Sequence, residues 1–114
     1  MEIAGTGQLG SGTYANTIAN NGVLRYNSTA NQALNGIISG TGSLIKDGVG
    51  STLTLSQVNS FSGGVTVNQG TLLMTRDGSD GNSVLKGVVT VNSGGTLNWS
   101  ASNSLGYNGG TITS

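Results

Sequence analysis

Cysteine, histidine and proline are absent from this chain of 114 residues. Without cysteine, the chain has no disulfide framework and no thiol nucleophile. Without histidine, Ser-His-Asp and Cys-His catalytic systems and most zinc sites are excluded. The absence of proline suits continuous β-ladders, in which every residue must supply a backbone N–H group.

Charged and aromatic residues are also scarce. Four basic and four acidic residues give a net charge of zero, and only five residues are aromatic. The chain therefore has no basic surface for nucleic acid and no polybasic strip for a membrane. A core of large aromatic side chains is not available, so we expect a thin core of valine, isoleucine, leucine and alanine.

Membrane-spanning and targeting signals are missing as well. No apolar run reaches the ~18 residues that a spanning helix needs, so we expect no membrane insertion by this segment. The first residues, Met1–Gly5, lack the basic start and the apolar centre of a signal peptide. If the protein is exported, we expect its signal peptide to have been removed.

Glycine and small polar residues dominate what is present, with 21 glycines and 42 serines, threonines and asparagines. Such a bias usually indicates disorder, but here the apolar residues are regularly spaced. Within Gly40–Met74, apolar residues alternate with polar ones in STLTLS, VTVN and TLLMT. This alternation predicts short strands with one buried face, separated by glycine turns.

The same stretch is repeated along the chain. VTVNQGTL at 65–72 returns as VTVNSGGTL at 89–97, and a weaker copy, TIANNGVL, lies at 17–24. SLIKDGVGSTL at 43–53 fills the slot between them. A period of about 20–25 residues, made of short strands and glycine corners, is typical of a β-solenoid.

An antiparallel sandwich is the alternative, because Asn21-Gly22 and Asn108-Gly109 could form hairpin turns. Such turns do not recur between every pair of strands, so the repeat favours the solenoid. We predict a single all-β domain over 1–114, with about four to five coils of roughly 24 residues. The repeat-like segments are 17–35, 36–74 and 84–113, and 76–83 is a flexible connection. The predicted inward-facing residues are Ile18, Leu24, Ile37, Leu44, Leu53, Leu55, Val65, Val67, Leu72, Met74, Val89, Val91, Leu97, Trp99 and Ile112.

Residues 36–74 resemble the autotransporter-associated β-strand repeat of Gram-negative surface proteins. The resemblance rests on GIISGTGSL at 36–44, KDG at 46–48, LTL at 53–55, NSFSGG at 59–64, and TVN and GTL at 66–72. It implies a right-handed parallel β-helix, export to the cell surface and a structural stalk role, with no catalytic residues to carry over. The family's translocator barrel and signal peptide are not part of this sequence.

Asp77 and Asp80, in RDGSDGN at 76–82, are the only carboxylates close together in sequence. They could form a calcium loop or the acidic cluster of a β-helix lyase or hydrolase. Their spacing fits neither an EF-hand nor the nonapeptide calcium repeat. Since Asp-Gly and Asn favour turns, we interpret this segment as a solvated connection and assign no catalytic, cofactor-binding or metal-binding residue.

The remaining polar pairs also have structural interpretations. The corner pairs Lys46-Asp47 and Arg76-Asp77 should face apart and keep sheet edges soluble. Stacking in register would align Asn68 with Asn92 and Thr66 with Thr90. An ice-binding threonine array would need Thr-x-Thr on every coil, and only 52–54 and 111–113 fit.

The aromatic residues favour packing over ligand binding. Trp99 lies two residues after Leu97, which places it on the core side rather than in a sugar-stacking platform with Tyr107. We expect the other three aromatic residues, Tyr14, Tyr26 and Phe61, to plug corners of the solenoid.

The sequence therefore predicts a non-catalytic structural module, a stalk or spacer of a secreted autotransporter-like protein at the bacterial cell surface. One alternative is an extracellular fibre subunit that stacks end to end through open solenoid edges, which the zero net charge would not oppose. Another is a glycan-binding adhesin, or a fragment of a polysaccharide-active enzyme, that uses Asp77, Asp80 or Trp99 toward a surface glycan or host-cell ligand.

Overall fold

The computed structural model describes residues 1–57, 59–75, 88–99 and 111–113, with side chains through Asn98. Thirteen short strands and a single turn of 3-10 helix, Gly10–Gly12, make up the regular structure of this part of the chain. The strands are Glu2–Gly5 (β1), Thr13–Tyr14 (β2), Ile18–Ala19 (β3), Val23–Ser28 (β4), Gln32–Leu34 (β5), Ile38–Ser39 (β6), Ser43–Lys46 (β7), Thr52–Leu55 (β8), Val65–Val67 (β9), Gly70–Met74 (β10), Val88–Val91 (β11), Gly95–Trp99 (β12) and Thr111–Thr113 (β13). None of the described helical segments is long and apolar enough to cross a membrane.

The strands stack into three sheets. Sheet A has the order β1-β4-β7-β9-β11-β13, sheet B has the order β12-β10-β8-β5-β2, and sheet C pairs β3 with β6. Every strand pair in the described residues is parallel. The chain is therefore a parallel β-solenoid, which confirms the predicted fold and excludes the antiparallel sandwich.

Coil length varies around the predicted period. Paired residues are 23 apart between β1 and β4, 20 between β4 and β7, 21 between β7 and β9, and 24 between β9 and β11. The two copies of VTVN stack directly, because Val65 pairs with Val89 and Val67 with Val91. The coils differ in the length of their loops, while the strands keep the same alternation of inward-facing and outward-facing residues.

The predicted correspondence between the weaker copy at 17–24 and the segment 65–72 is wrong. Ile18 pairs with Ile38 in sheet C, and Leu24 pairs with Leu44 in sheet A. This segment therefore turns the corner from sheet C to sheet A, whereas 65–72 turns the corner from sheet A to sheet B. Short apolar runs around a glycine look alike at both corners, which is why the sequence could not separate them.

The core is a narrow stack of the inward-facing residues. Nine of the predicted inward residues are almost completely buried, and Ile18, Val91 and Leu97 pack against them partly buried. Those nine are Leu24, Leu44, Leu53, Leu55, Val65, Val67, Leu72, Met74 and Val89. The side chains of Trp99 and Ile112 lie outside the described residues.

Ile37 was predicted to face inward and does not. It is 43% exposed, whereas its neighbour Ile38 is 1% exposed. Strand β6 begins at Ile38, so the alternation has the opposite phase from the one assumed, and one residue of shift exchanges the two faces. Sequence analysis also missed Ile3 and Leu34, which complete the core near the N-terminal coils.

Two of the aromatic residues are core residues, as expected of side chains that pack. Tyr26 and Phe61 are 1% and 0% exposed, and Tyr14 packs against the core from a partly buried position. The Tyr26 hydroxyl donates a hydrogen bond to the carbonyl of Ala30, which satisfies its polar end. Tyr107 is not among the described residues.

Glycines line the corner between sheets C and A, where successive coils approach closely. Gly42 and Gly63 donate backbone hydrogen bonds of 2.9 and 2.8 Å to the carbonyls of Asn20 and Gly42 in the coil before. A Cβ on Gly42 would overlap the carbonyl oxygen of Gly22, but a Cβ on Gly22 would meet open space. Side chains are therefore excluded at Gly42 by the backbone of the neighbouring coil.

We predict that Gly42→Ala destabilises the fold and that Gly22→Ala does not. The added methyl at position 42 must push two coils apart, at a cost of about 1–3 kcal/mol. At position 22 the reduced entropy of the unfolded chain should leave stability unchanged or raise it by about 0.4–1 kcal/mol. Denaturant unfolding followed by circular dichroism measures both variants, and equal effects would contradict the proposed close approach.

Candidate functional site

Polar side chains gather at the corner where the chain leaves sheet A after β7. We define the polar corner by the side chains and backbone of Arg25, Tyr26, Lys46, Asp47, Gly48, Ser51, Asn68, Gln69, Gly70 and Asn92. No other group of described residues combines buried charge with several hydrogen-bonded side chains. No cluster of three or more histidine, cysteine, aspartate or glutamate residues that could hold a metal exists within the described ranges. Arg76, Asp77 and Asp80 lie outside those ranges, so the interpretation of the segment 76–82 stays a prediction.

Lys46 occupies the inside of this corner. It pairs in register with Tyr26 below and Val67 above, and its side chain is completely buried. The prediction that Lys46 keeps a sheet edge soluble is therefore wrong. In SLIK the residues Leu44 and Lys46 share one face, and the alternation of the strand carries the lysine inward despite its charge.

The buried ammonium is surrounded by oxygens from two coils. Lys46 Nζ donates to the backbone carbonyls of Asp47 and Gly48, the latter at 3.1 Å, and to Ser51 Oγ at 2.8 Å. It also lies 3.3 Å from the carbonyl oxygen of Gln69 in the next coil. These oxygens replace the water that the charge loses on burial.

Tyr26 closes the cluster from the coil below. The ring centroid lies 5.5 Å from Lys46 Nζ, within the range of a cation–π contact. Burial lowers the pKa of the Lys46 ammonium, and the nearby negative charge of Asp47 partly opposes that shift. Lys46 thus contacts groups of three successive coils.

Two glycines make room for the cluster. Gly48 and Gly70 have φ values of +88° and +70°, which favour glycine. A Cβ on Gly70 would lie 2.8 Å from Lys46 Nζ and 2.6 Å from the carbonyl oxygens of Gly48 and Ser51. Ser51 Oγ also donates to the Gly48 carbonyl at 3.1 Å, which holds the turn closed.

A second set of contacts runs along the outside of the same corner. The Asp47 carboxylate accepts hydrogen bonds from Arg25 Nε at 2.6 Å and from Asn68 Nδ2 at 3.0 Å. Asn68 Oδ1 in turn accepts from Asn92 Nδ2 at 2.7 Å, and Glu2 lies 3.3 Å from Arg25. The hydrogen bond and the charge of Asp47 raise the pKa of Arg25. In each of these coils, therefore, one polar side chain contacts a polar side chain of the next coil.

This outer ladder confirms the predicted alignment of asparagines. Asn68 and Asn92 are linked directly, and Thr66 pairs with Thr90 in the same strands. Lys46, the last residue of β7, and Asp47, which follows it, face apart as expected, but neither is a free surface charge. Lys46 was missed because sequence reasoning assumes that lysine is exposed, although the K-D-G-x-G-S spacing at 46–51 could have signalled a turn that folds back on its own side chain.

A shallow uncharged pocket lies on the outer face of sheet B. It has a volume of about 360 Å³ and is lined by Gly12, Asn31, Gln32, Ala33, Thr52 and Thr54. The Gln32 amide is held by the backbone of Leu9, to which it donates at 3.0 Å and from which it accepts at 2.7 Å. The lining contains no acid, base or nucleophile poised for catalysis.

Short parallel strands, in-register stacking and a corner built from backbone carbonyls define a β-solenoid repeat protein. Residues 44–74 match the family model of the passenger-associated transport repeat. Over 94 residues, or 82% of this chain, the sequence is 36% identical to the adhesin BmaC autotransporter of Brucella suis biovar 1 (strain 1330). The chain therefore carries an autotransporter passenger repeat. The aligned part is 3% of the length of that adhesin, and no solved structure matches.

The matched repeat contains most of the polar corner. Lys46, Asp47, Ser51 and Asn68 all lie within 44–74, and only the contacts to Tyr26, Arg25 and Asn92 come from coils outside it. One repeat therefore supplies both the buried cation and the oxygens that surround it.

We predict that the two ion pairs of Arg25 differ in their contribution to the stability of the fold. In Glu2→Gln the lost partner is 46% exposed, so the melting temperature should change little, since exposed pairs contribute little. In Asp47→Asn the lost carboxylate is 13% exposed and binds both Arg25 and Asn68, so the melting temperature should fall clearly. Thermal unfolding of both variants at low and high salt measures the difference, and a larger loss in Glu2→Gln would refute it.

Proposed function

We propose that this chain is a non-catalytic structural module, a stalk or spacer, in the passenger of an autotransporter at the bacterial cell surface. The observation that supports this best is the continuous parallel stacking of coils, each of which contacts its neighbours through strand pairing and side-chain ladders. Such a stack gains length by adding coils and needs no ligand to be stable.

The polar groups of the described residues also favour a structural role. The Lys46 ammonium is turned toward oxygens of its own chain, and Asp47, Asn68 and Asn92 bind one another along the wall. A catalytic lysine or carboxylate would have to be directed at a cleft. In this corner the hydrogen-bonding capacity is used to hold coils together.

A stalk should lengthen when a coil is added in register. Leu44 pairs with Val65, so a copy of residues 44–64 inserted after Gly64 adds one coil without a shift. In the copy, Lys46→Val and Asp47→Asn avoid stacking like charges and reproduce Val67 and Asn68 of the next coil. Ser51→Gly in the copy reproduces Gly70, where a Cβ does not fit. We expect each copy to lengthen the particle by about 4.8 Å, measured by small-angle scattering. A control copy that lacks Ile45 reverses the facing of the strand and should not fold as an extended stack.

Surface display separates a stalk from an adhesin, the role in the name of the Brucella relative. Bacteria can present the chain between an outer-membrane anchor and a peptide epitope. A stalk should expose the epitope to antibody and give no more adhesion to host cells than the anchor alone. Adhesion conferred by the chain itself, or failure of inserted coils to lengthen it, would overturn the proposal.

We further propose end-to-end self-association of the 114-residue chain. Strands β1 and β2 each pair on one side only in the described structure, and the net charge of zero does not oppose stacking. The carbonyls of Met1 and Gly5 accept hydrogen bonds from the N–H groups of Arg25 in β4 and of Thr29, which follows β4. The alternation of a parallel ladder therefore turns the N–H groups of Glu2 and Ala4 to the open edge.

Ala4→Pro removes one open N–H group from this edge and leaves the pairing with β4 intact. We expect the apparent molar mass of the parent chain, measured by light scattering, to rise with concentration. The apparent molar mass of the Ala4→Pro variant should stay lower. Ala4→Ser keeps the N–H group and is the matched control. A parent chain that stays monomeric at high concentration would exclude self-association through this edge.

A further inference from the structure

The Lys46 ammonium has more oxygen neighbours than it has protons. An ammonium group carries three N–H donors, but four oxygens surround it, from Asp47, Gly48, Ser51 and Gln69. Three of them are backbone carbonyl oxygens and one is a hydroxyl oxygen. Convergent backbone carbonyls are also the ligands that replace the hydration shell of a potassium ion in selective channels.

Backbone hydrogen bonds join the two segments that carry these oxygens. Thr71 N–H donates to the Ser51 carbonyl at 2.9 Å, and Asn68 N–H donates to the Lys46 carbonyl at 2.9 Å. Together with the positive φ angles of Gly48 and Gly70, these bonds hold the turn 47–51 against the start of β10. The carbonyl oxygens of Asp47, Gly48 and Gln69 converge on one position, which the Lys46 ammonium occupies.

The surroundings of this position select a single positive charge. The Asp47 carboxylate is engaged outside the wall by Arg25 and Asn68, so Asp47 presents only its backbone carbonyl to the interior. Divalent cations in proteins usually require carboxylate ligands, and the position has none. The Tyr26 ring at 5.5 Å adds a face that attracts a cation.

We propose that this cluster is a binding site for a monovalent cation, in which the chain supplies its own occupant through Lys46. When the ammonium group and the end of the aliphatic stem are removed, the site takes up potassium or ammonium ion. Occupation then restores the link between the coils of Tyr26, Lys46 and Gln69.

The test is the variant Lys46→Val. Valine keeps only the part of the side chain nearest the backbone, matches Val67 of the next coil and leaves a space for a small cation among the four oxygens. The melting temperature is measured in potassium chloride, ammonium chloride and choline chloride at equal total chloride. We expect it to rise by about 3–6 °C between 10 and 500 mM potassium, since a ligand of the native state stabilises with the logarithm of its concentration. Ammonium should act likewise, and choline, which is too large, should not.

Two controls separate the site from general salt effects. Leu44→Ala removes a completely buried residue of the same strand, so it should be destabilised without any difference between potassium and choline. Lys46→Val combined with Ser51→Ala lacks one of the four oxygens and should lose much of the potassium response. The parent chain, whose site is filled, should respond equally to all three salts.

Each result decides the proposal. If Lys46→Val is unfolded in choline chloride, recovery of the β-sheet circular dichroism signal in potassium or ammonium chloride supports the site. Equal stability of Lys46→Val in potassium and choline, or absence of recovery up to 1 M potassium, would overturn it.

Discussion

Close approach of one coil to the next is the constraint on which the structure depends. The backbone hydrogen bonds between coils form only where consecutive turns lie within ladder distance of each other. At Gly42 that distance leaves no space for a Cβ, because the carbonyl of Gly22 occupies it. The glycines at positions 36, 42 and 63, where a Cβ would overlap the backbone of the coil before, follow from the same requirement.

The interior meets this constraint with a thin core. Leucine, valine and isoleucine stack on their counterparts one coil away, so each apolar residue is buried by a similar residue rather than by a distant part of the chain. Lys46 interrupts one such column between Tyr26 and Val67. The column accepts the charge because the adjacent turn folds back and supplies oxygens at the same level. A polar group in this core is therefore tolerated where its own loop can solvate it.

Sequence reasoning could predict the repeating features of this architecture. The copies of VTVN carried the register of sheet A, and alternation identified most inward residues, including Leu53, Leu55 and Leu72. Sequence reasoning failed where a neighbouring corner decides which residues face inward, as at Ile37 and in the segment 17–24. It failed again at Lys46, because residue type and alternation disagreed there and the charge was given more weight. Partners such as the Gln69 carbonyl come from the next coil, and no local pattern reveals them.

The polar corner also has a mechanical consequence. The hydrogen bonds of a parallel solenoid point along its axis, so tension between the two ends loads the outermost row first and peels the stack one coil at a time. Each backbone hydrogen bond between coils joins only two coils. Lys46 contacts the Tyr26 ring on one side and the Gln69 carbonyl on the other, so it ties three coils at a single point. Unfolding that proceeds coil by coil must break these contacts of Lys46 before it passes the repeat 44–74. Unravelling therefore stops at that repeat until they break.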